Sequence, residues 1–429
     1  MELSFWAATD VGRKREANED NFLVDKKLSL FIVADGMGGH ASGEVASDIA
    51  VHEFRNTVEA QHELIEKYGK GEAGVRPQDI LNLLESALQA AGHAINQRGK
   101  AEPDKRGMGT TTSALLIAGD RGFIVHVGDS RIYLLRSGQV IQLTEDHSLI
   151  NELVRRGKIA KGGIESSPYK AYKNAVTRAV GVYETVQADT IDFEILPGDQ
   201  FLLCSDGLHT YLTEPKMIEL MSPADITLAP QRFVELANAA GGQDNITAVV
   251  LRVDLPAAVA GAHDDRAEEL QRKIDVLKKM PLFRHLTYKE IIRVLNVTEV
   301  KEYAANQPLI KEGTPGEEMF ILLKGKVRVH KNDAFITHLL PGSHIGEMAL
   351  IDSTPRSASA TAEERSRLLI LRRTEFYEIV RKDPTLSVKL LWSFVQVLAD
   401  RLRKTTAELS GARLEAHAQD LTDDVLFDE

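Results

Sequence analysis

At 429 residues the chain exceeds what one ordinary hydrophobic core organises, and 43% apolar with 27% charged residues is the composition of a globular protein of two or three domains. A formal charge of −11 argues against general affinity for nucleic acid, whose phosphates reward clustered Lys and Arg. No apolar run approaches the roughly 20 residues that span a bilayer, and the opening MELSFWAATDVG lacks the basic start and apolar core of a signal peptide. The expectation is a cytoplasmic protein with no membrane segment.

From Met1 to about Asp254, short β-like runs (FIVADG, TSALLIAG, GFIVHVGDSRIYLL, FLLCSDG, NITAVVLRV) alternate with helical stretches such as Glu44 to Val58. Turn-like sequences at Ala118 to Gly122 and Arg136 to Gly138 predict antiparallel hairpins, and an α+β unit of stacked sheets flanked by helices follows. Cys204, the only cysteine, excludes an intramolecular disulfide and a cysteine-rich zinc site; within FLLC it reads as a buried structural thiol.

The small, polar segment LPAAVAGAHDD, from Leu255 to Asp265, has the composition of a linker. After it, RAEELQRKIDVLKKM places Leu270, Ile274 and Leu277 on one helical face; this helix either packs on its own domain or transmits a signal. From Pro281 to about Lys404 helical turns give way to glycine-punctuated strands and then to a long apolar helix beginning near Leu386, the pattern of a small β jelly roll with accessory helices. Leu390, Leu391, Phe394, Val397, Leu398 and Leu402 form a broad apolar face on that helix, which either covers its own barrel or makes a homodimer contact. Residues 414–429 hold six acidic residues and no Lys or Arg, so a disordered tail is expected. The domain plan is therefore 1–254, a linker and connecting helix over 255–280, a second domain over 281–405, and an acidic tail over 406–429.

Isolated acidic residues mostly face water. Here they stand beside strand-like runs and glycine turns: Glu19 and Asp20 after Asn18, Asp35 in FIVADG, Asp129 in FIVHVGD, Asp206 in FLLCSD, and Asp244 in GGQDNIT. Carboxylates at the ends of distant strands can converge on one point, where their repulsion must be offset by cations, and hard oxygen donors select Mg²⁺ or Mn²⁺. Two such ions about 3.5–4 Å apart would lower the pKa of a bridging water and clamp a phosphoryl group for in-line attack. Gly36 and Gly207 suit close backbone approach, and the Gly36 carbonyl is itself a candidate ligand.

The motifs GRKREANEDNF, VADGMGGHASGE, GMGTTTSALL, VGDSRIYLL, LTEDHSL, CSDGL and GGQDNITAVV, in order over about 250 residues, resemble the PPM (PP2C-like) family of metal-dependent serine/threonine protein phosphatases. The resemblance implies a PP2C-like β-sandwich flanked by helices. It implies that Asp35 bridges two Mn²⁺ or Mg²⁺ ions, with the Gly36 carbonyl on one and Asp206 and Asp244 on the other, while Glu19 and Asp20 orient metal-bound waters. As in bacterial members, Asp129 and Asp206 would form a third metal site. Arg15 stands at the phosphate-binding position, where a guanidinium grips two oxygens at once. His40 matches the general acid that protonates the serine or threonine leaving oxygen. The stretch from Asp146 to Val180 resembles the flap over the active site, with RGKIAKGGIESSPYKAYKN outside any family motif.

In PGSHIGEMALIDSTPRSASATA, Pro341-Gly342 makes a turn, Gly346 permits close backbone approach, and a short helix beginning at Glu347 would present free amides to an anion. A carboxylate and a guanidinium in one loop can read a sugar hydroxyl and a phosphate of the same ligand. The stretch resembles the phosphate-binding cassette of cyclic-nucleotide-binding domains, over about 125 residues with the preceding PLIKEGTPGEEMFILLKGKVRV and the closing helix. By that resemblance Glu347 contacts the ribose 2′-hydroxyl and Arg356 the cyclic phosphate of cAMP or cGMP, with Gly346, Met348, Ala349 and Ser357 lining the pocket.

Three readings follow. The chain hydrolyses phosphoserine or phosphothreonine in phosphorylated proteins under control of a cyclic nucleotide; or it senses the nucleotide and docks partners with little catalysis; or it is a phosphatase whose second domain serves only dimerisation or docking.

Overall fold

The computed structural model describes residues 2–38, 42–160, 163–164, 167–172, 175–222, 226–254, 265–332 and 334–426. The chain divides into two units, Met1–Asp264 and Asp265–Glu429.

The first unit contains strands β1 (Glu2–Asp10), β2 (Asp20–Asp25), β3 (Leu30–Met37), β4 (Gly109–Thr110), β5 (Thr112–Ala118), β6 (Arg121–Val127), β7 (Arg131–Arg136), β8 (Gln139–Gln142), β9 (Asp189–Glu194), β10 (Gln200–Cys204) and β11 (Ile246–Asp254). Its helices are α1 (Ser42–Ala60), α2 (His62–Gly69), α3 (Pro77–Ala101), α4 (Leu149–Arg155), α5 (Asp206–His209), α6 (Glu214–Met221) and α7 (Ala229–Ala239). The strands form two antiparallel sheets, ordered β1-β11-β10-β7-β8 and β2-β3-β5-β6-β9, with β4 added beside β3. Both expected hairpins form: Ala118 pairs Arg121 and Arg136 pairs Gln139, the latter turn carrying Ser137 and Gly138 at positive φ.

Alternation along β3 shows why the sheets stack. Leu30, Ile32 and Ala34 pack against Phe54 and Val58 of α1 and Leu84 and Leu88 of α3, while Phe31 points the other way and meets Phe5 of β1 with ring centroids 5.7 Å apart. Phe193 of β9 and Phe201 of β10 make a second bridge between the sheets at 5.9 Å. On the outer face of the other sheet, Leu202, Ala248 and Val250 pack on Met217 of α6 and Phe233 of α7. Strands buried on both faces read as continuous apolar runs, and the result is a β-sandwich with helices on each side.

The second unit opens with α8 (Asp265–Lys279) and α9 (Tyr288–Asn296) and continues through β12 (Glu299–Tyr303), β13 (Pro308–Ile310), β14 (Glu318–Lys324), β15 (Val327–Lys331), β16 (Ala334–Leu339), β17 (His344–Ile345), β18 (Ser359–Ala362) and β19 (Ser366–Arg372). It closes with α10 (Arg373–Lys382) and α11 (Pro384–Leu426). Two four-stranded sheets, β12-β19-β14-β17 and β13-β18-β15-β16, enclose a jelly-roll core of Phe320, Leu322, Val327, Ala360, Ala362, Leu368 and Ile370. Leu270, Ile274 and Leu277 of α8 are buried, and Glu269 pairs with Arg367 of β19 at 3.0 Å, so this helix packs on the jelly roll. A capping box starts α9: Thr287 accepts from the Glu290 amide at 3.3 Å while Glu290 accepts from the Thr287 amide at 2.7 Å.

Two expectations need correction. The acidic end does not lack structure, since α11 runs through Leu426; Ala, Leu, Glu, Gln and Arg are strong helix formers, and no proline interrupts the segment from Pro384 onward. The apolar face of this helix is also not one surface. Leu386, Leu390 and Phe394 are buried against their own domain, whereas Leu391 and Leu402 are exposed. Among the described residues no helix is long and apolar enough to cross a membrane.

Candidate active site

The acidic residues come together at one end of the sandwich because the starts of β2, β11 and α5, the end of β6 and the later part of β3 deliver them there. Asp20 opens β2 and stands opposite Asp35 in the β2–β3 ladder. Asp206 begins α5 directly after β10, Asp244 lies just ahead of β11, and β10 and β11 are paired. Asp129 follows β6.

Backbone contacts at this end are unusually close. The Gly36 amide donates to the Glu19 carbonyl at 3.1 Å, and Ser47 of α1 donates to the same carbonyl at 2.7 Å. A Cβ on Gly36 would lie 2.1 Å from the Gly43 carbonyl, and one on Gly43 would lie 2.6 Å from Glu19 Oε1. Only glycines allow α1, β3 and Glu19 to meet this way. The backbone around Asp35 is held from the far side: its amide donates to Thr111 Oγ1 at 2.9 Å, and its carbonyl accepts from the Thr111 amide at 2.8 Å and from Thr110 Oγ1 at 2.9 Å.

The carboxylates feel one another. Burial pushes Asp20 up to about 7; the Thr247 and Ser205 hydroxyls, each donating to its Oδ2 at 2.7 Å, work against this, and the charges of Asp206 and Asp244 add to it. Burial, then Asp20, Asp206, Asp129 and Asp244, hold Asp35 well above the usual carboxylate range. Asp129 is pushed up to about 7 by burial and next by Asp206, and Asp206 to about 6 by burial and next by Asp244, with Arg15 opposing. Arg15 donates to Asp244 Oδ2 at 2.8 Å and lies 3.7 Å from Glu19 Oε2.

Among the described residues no three His, Cys, Asp or Glu side chains are already set as a finished metal-ligand sphere. The donor set nevertheless fits divalent cations. It is all oxygen, its crowded charges push Asp20, Asp35 and Asp206 up, and among the described residues the buried oxygens Asp20 Oδ1 and Asp206 Oδ1 find no hydrogen-bond partner. A buried carboxylate oxygen without a donor is costly, and a hard cation supplies what is missing.

Several residues outside the expected set organise this end. Asn245 donates from Nδ2 to the carbonyls of Val11 and Ala17, both at 2.9 Å, and accepts the Glu19 amide at 2.8 Å, tying the loop before β2 to β11. Arg131 grips Asp146 with Nε at 2.8 Å and NH2 at 2.6 Å, and it donates to Tyr133 Oη at 2.9 Å. The start of the flap stretch is pinned by His147, whose amide donates to the Gly128 carbonyl at 2.7 Å; its end is pinned where Val180 bridges Thr110. The motifs GGQDNIT, VGDSRIYLL and LTEDHSL contain Asn245, Arg131 and His147, but nothing in one sequence ranks them above their neighbours. His40 lies outside the described residues.

In the second unit Gly346, at φ +84°, precedes a single turn of 3-10 helix from Glu347 to Leu350, where the short helix was expected. Glu347 and Ala349 are buried, whereas Met348 and Ser357 are exposed. Arg356 is half-buried and donates to the Glu318 carbonyl at 2.7 Å and the Gly346 carbonyl at 3.5 Å, above the Phe320 ring at 6.0 Å. A Cβ on Gly316 would lie 1.9 Å from Arg356 Nε, so glycine makes room for the guanidinium. The cleft beside Arg356 is walled by Ile310, Thr314, Gly316, Glu318 and Arg372; Glu347 is not in that wall. Burial lowers the Arg356 pKa, opposed by Glu318 and, more weakly, Glu347. Arg373, which the sequence reading passed over, fastens the cassette to the start of α10: its Nε donates to the Ala349 carbonyl at 2.6 Å and its NH2 to the carbonyls of Gly316, at 3.3 Å, and Asp352.

Residues 12–239 match the family model of protein phosphatase 2C, and residues 300–383 match the cyclic nucleotide-binding domain. The chain belongs to the protein phosphatase 2C family and carries a cyclic nucleotide-binding domain after its phosphatase fold. It is 34% identical over 298 residues to the serine/threonine protein phosphatase PstP of Mycobacterium tuberculosis, covering 65% of this chain and 54% of that protein, about half the length of that relative. It is 38% identical over 251 residues to the serine/threonine phosphatase stp of Listeria innocua, covering 58% of this chain and 94% of that one. The crystal structure of Mycobacterium tuberculosis PstP/Ppp aligns at a TM-score of 0.52 and 35% identity, over 59% of this chain and 99% of that chain.

Proposed function

We propose that this protein hydrolyses phosphoserine and phosphothreonine in phosphorylated proteins with the help of two divalent cations, Mn²⁺ or Mg²⁺, and that cAMP or cGMP bound to the second unit adjusts the rate. The observation that carries the first part is the group of carboxylates from distant segments, Asp20, Asp35, Asp206 and Asp244, whose burial and crowding push Asp20, Asp35 and Asp206 up and which include two buried oxygens without a donor among the described residues.

Asp35, Asp206, Asp244 and the Gly36 carbonyl would hold the two ions, Glu19 and Asp20 would stand beside them, and Asp129 with Asp206 would take a third. Bound there, the cations activate a water and neutralise charge on the phosphoryl group. The chain's own residues do the rest. Ser205 and Thr247 fix the Asp20 carboxyl by two hydrogen bonds of 2.7 Å. Thr110 and Thr111 hold the Asp35 backbone in place. Arg15, with a side chain 47% exposed, swings its guanidinium from Asp244 to the phosphate oxygens, a pairing suited to two oxygens at once. His40 serves as the acid for the leaving oxygen.

In the second unit Arg356 takes the cyclic phosphate and Glu347 the ribose hydroxyl, with Gly346, Met348, Ala349 and Ser357 around them. What supports regulation is that the two matched regions share one chain. A full switch from 1:99 to 99:1 needs about 5.5 kcal/mol of preference for one arrangement, so partial control is the expectation.

The test titrates cAMP and cGMP separately into Mn²⁺-dependent hydrolysis of a phosphothreonine peptide, with Asp206→Asn as the control. Loss of turnover in the variant and a nucleotide-dependent rate in the wild type support both parts. Equal turnover by wild type and variant overturns the phosphatase reading, and a flat response to both nucleotides overturns regulation.

A further inference from the structure

We propose, on the reading that Asp129 and Asp206 take a third cation, that His209 is the positioning residue for that cation: by donating to the Asp129 carbonyl it sets the Asp129 carboxylate against Asp206.

α5 is a single turn, Asp206–His209, and residues three apart lie on the same side of a helix, so Asp206 and His209 face the same way. The turn is fixed in place. The Thr210 amide donates to the Asp206 carbonyl at 3.1 Å and the His209 amide to the Ser205 carbonyl at 3.2 Å. A Cβ on Gly207 would lie 2.0 Å from the Asn245 carbonyl oxygen, which seats the turn against the start of β11. From this seat His209 Nε2 reaches the Asp129 carbonyl at 2.9 Å. A carbonyl only accepts, so the ring proton is on Nε2. The first residue of the turn is thus one carboxylate of the pair, and its last residue holds the backbone of the other.

His209 grips the middle of a segment that is otherwise held at both ends. The Gly128 amide donates to His147 Nδ1 at 3.1 Å, and the Gly128 carbonyl accepts from the His147 amide at 2.7 Å. Gly128 stands at φ +110°, and a Cβ there would lie 2.5 Å from the Thr111 side chain. On the other side Ser130 Oγ shares a hydrogen bond of 2.7 Å with Thr111 Oγ1, and the Ser130 carbonyl accepts from Ser113 Oγ at 3.2 Å. Among the described residues His209 is the one donor to the carbonyl between them. The peptide unit is planar, so fixing that oxygen fixes the plane after Asp129 and with it the direction in which the Asp129 side chain leaves the backbone. Of the charges acting on the Asp129 carboxyl, that of Asp206 is the strongest, which places the two acids face to face. Asp35 is held instead by Thr110 and Thr111, and Asp244 by the Asn245 amide and Arg15. Partners that orient metal ligands are worth about tenfold to a hundredfold in metal affinity, and here that factor falls on the third cation alone.

Calorimetry of the chelated, full-length protein with Mn²⁺ reads this without turnover. Asp129→Ala should abolish the weakest of three binding steps. His209→Ala should raise the Kd of that step about tenfold to a hundredfold and leave the two tighter steps within about twofold of the wild type. A glutamine amide nitrogen has the reach of Nε2 and an asparagine amide nitrogen only that of Nδ1, so His209→Gln should restore the step and His209→Asn should not. Because these two variants share one chemistry and differ by a methylene, the contrast between them reads reach and not folding. An unchanged weakest step in His209→Ala, an equal loss in all three steps, or a His209→Gln protein as weak as His209→Asn would each overturn the role of His209, with Asp129→Ala still defective. A wild type that takes up only two Mn²⁺ and is indifferent to Asp129→Ala would instead overturn the third-cation reading and this role with it.

Discussion

The two sites in this chain handle charge in opposite ways. At the end of the sandwich, negative groups crowd together, push Asp20, Asp35 and Asp206 up, and leave Asp20 Oδ1 and Asp206 Oδ1 without donors among the described residues. In the jelly roll, the guanidinium of Arg356 is already engaged, donating to the carbonyls of Glu318 and Gly346. The first arrangement gains by taking up a cation. In the second, an incoming phosphate must outcompete two neutral acceptors, which a charged acceptor can do because charge-assisted hydrogen bonds are about twice as strong. Affinity is thus built into the acid cluster by repulsion, and tuned in the jelly roll by what the ligand displaces.

The sharpest way to break this comparison is to remove charge from the crowded site. Asp35→Asn should lower Mn²⁺-dependent hydrolysis of p-nitrophenyl phosphate on the order of a hundredfold or more, because the group that feels Asp20, Asp206, Asp129 and Asp244 is neutralised. An unchanged rate would mean that the acid cluster is structural. In the jelly roll, Gly316→Ala should weaken binding of cAMP and cGMP by about tenfold or more in calorimetry, since the new Cβ would occupy space 1.9 Å from Arg356 Nε. Basal hydrolysis without nucleotide should be unaffected, which separates the two sites.

Proton linkage sharpens the contrast further. Asp20, Asp129 and Asp206 are raised to about 7, 7 and 6 from an ordinary 3.8, so the folded chain holds more protons than the unfolded one between those values. Their contribution to stability is full below 3.8 and is lost as pH rises through the folded values. Chelated protein should therefore melt at a lower temperature near pH 7.5 than near pH 5, and Mn²⁺ should flatten the difference. A melting temperature that climbs over this interval without metal would contradict the repulsion. The smallest effect concerns Cys204, whose thiol burial pushes up to about 12. Iodoacetamide should leave it unmodified in native protein at mildly alkaline pH and label it after denaturation.

Much of this was legible in the chain. Continuous apolar runs such as FIVADG and GFIVHVGD, the hairpin turn at Ser137-Gly138, and the acids beside the strands depend on neighbours a few residues away, so local pattern suffices to find them. The cassette turn at Gly346 and Glu347 is equally local. The long helix shows where such reading stops: spacing identified an apolar surface on α11, yet only packing could divide it into a face buried on the jelly roll and a face left open. Composition likewise pointed to a disordered end, where helix propensity prevailed through Leu426.

By itself the sequence determined the main apolar strand runs of the first unit and the set of carboxylates, because each is written in spacing along the chain. Tertiary structure alone decided that Asn245 ties the loop before β2 to β11, that Ser205 and Thr247 share Asp20, and that Arg356 lies over Gly316 against two carbonyls. Those contacts join residues as far as 234 positions apart. Their partners are selected by strand order and close packing, which no local pattern encodes.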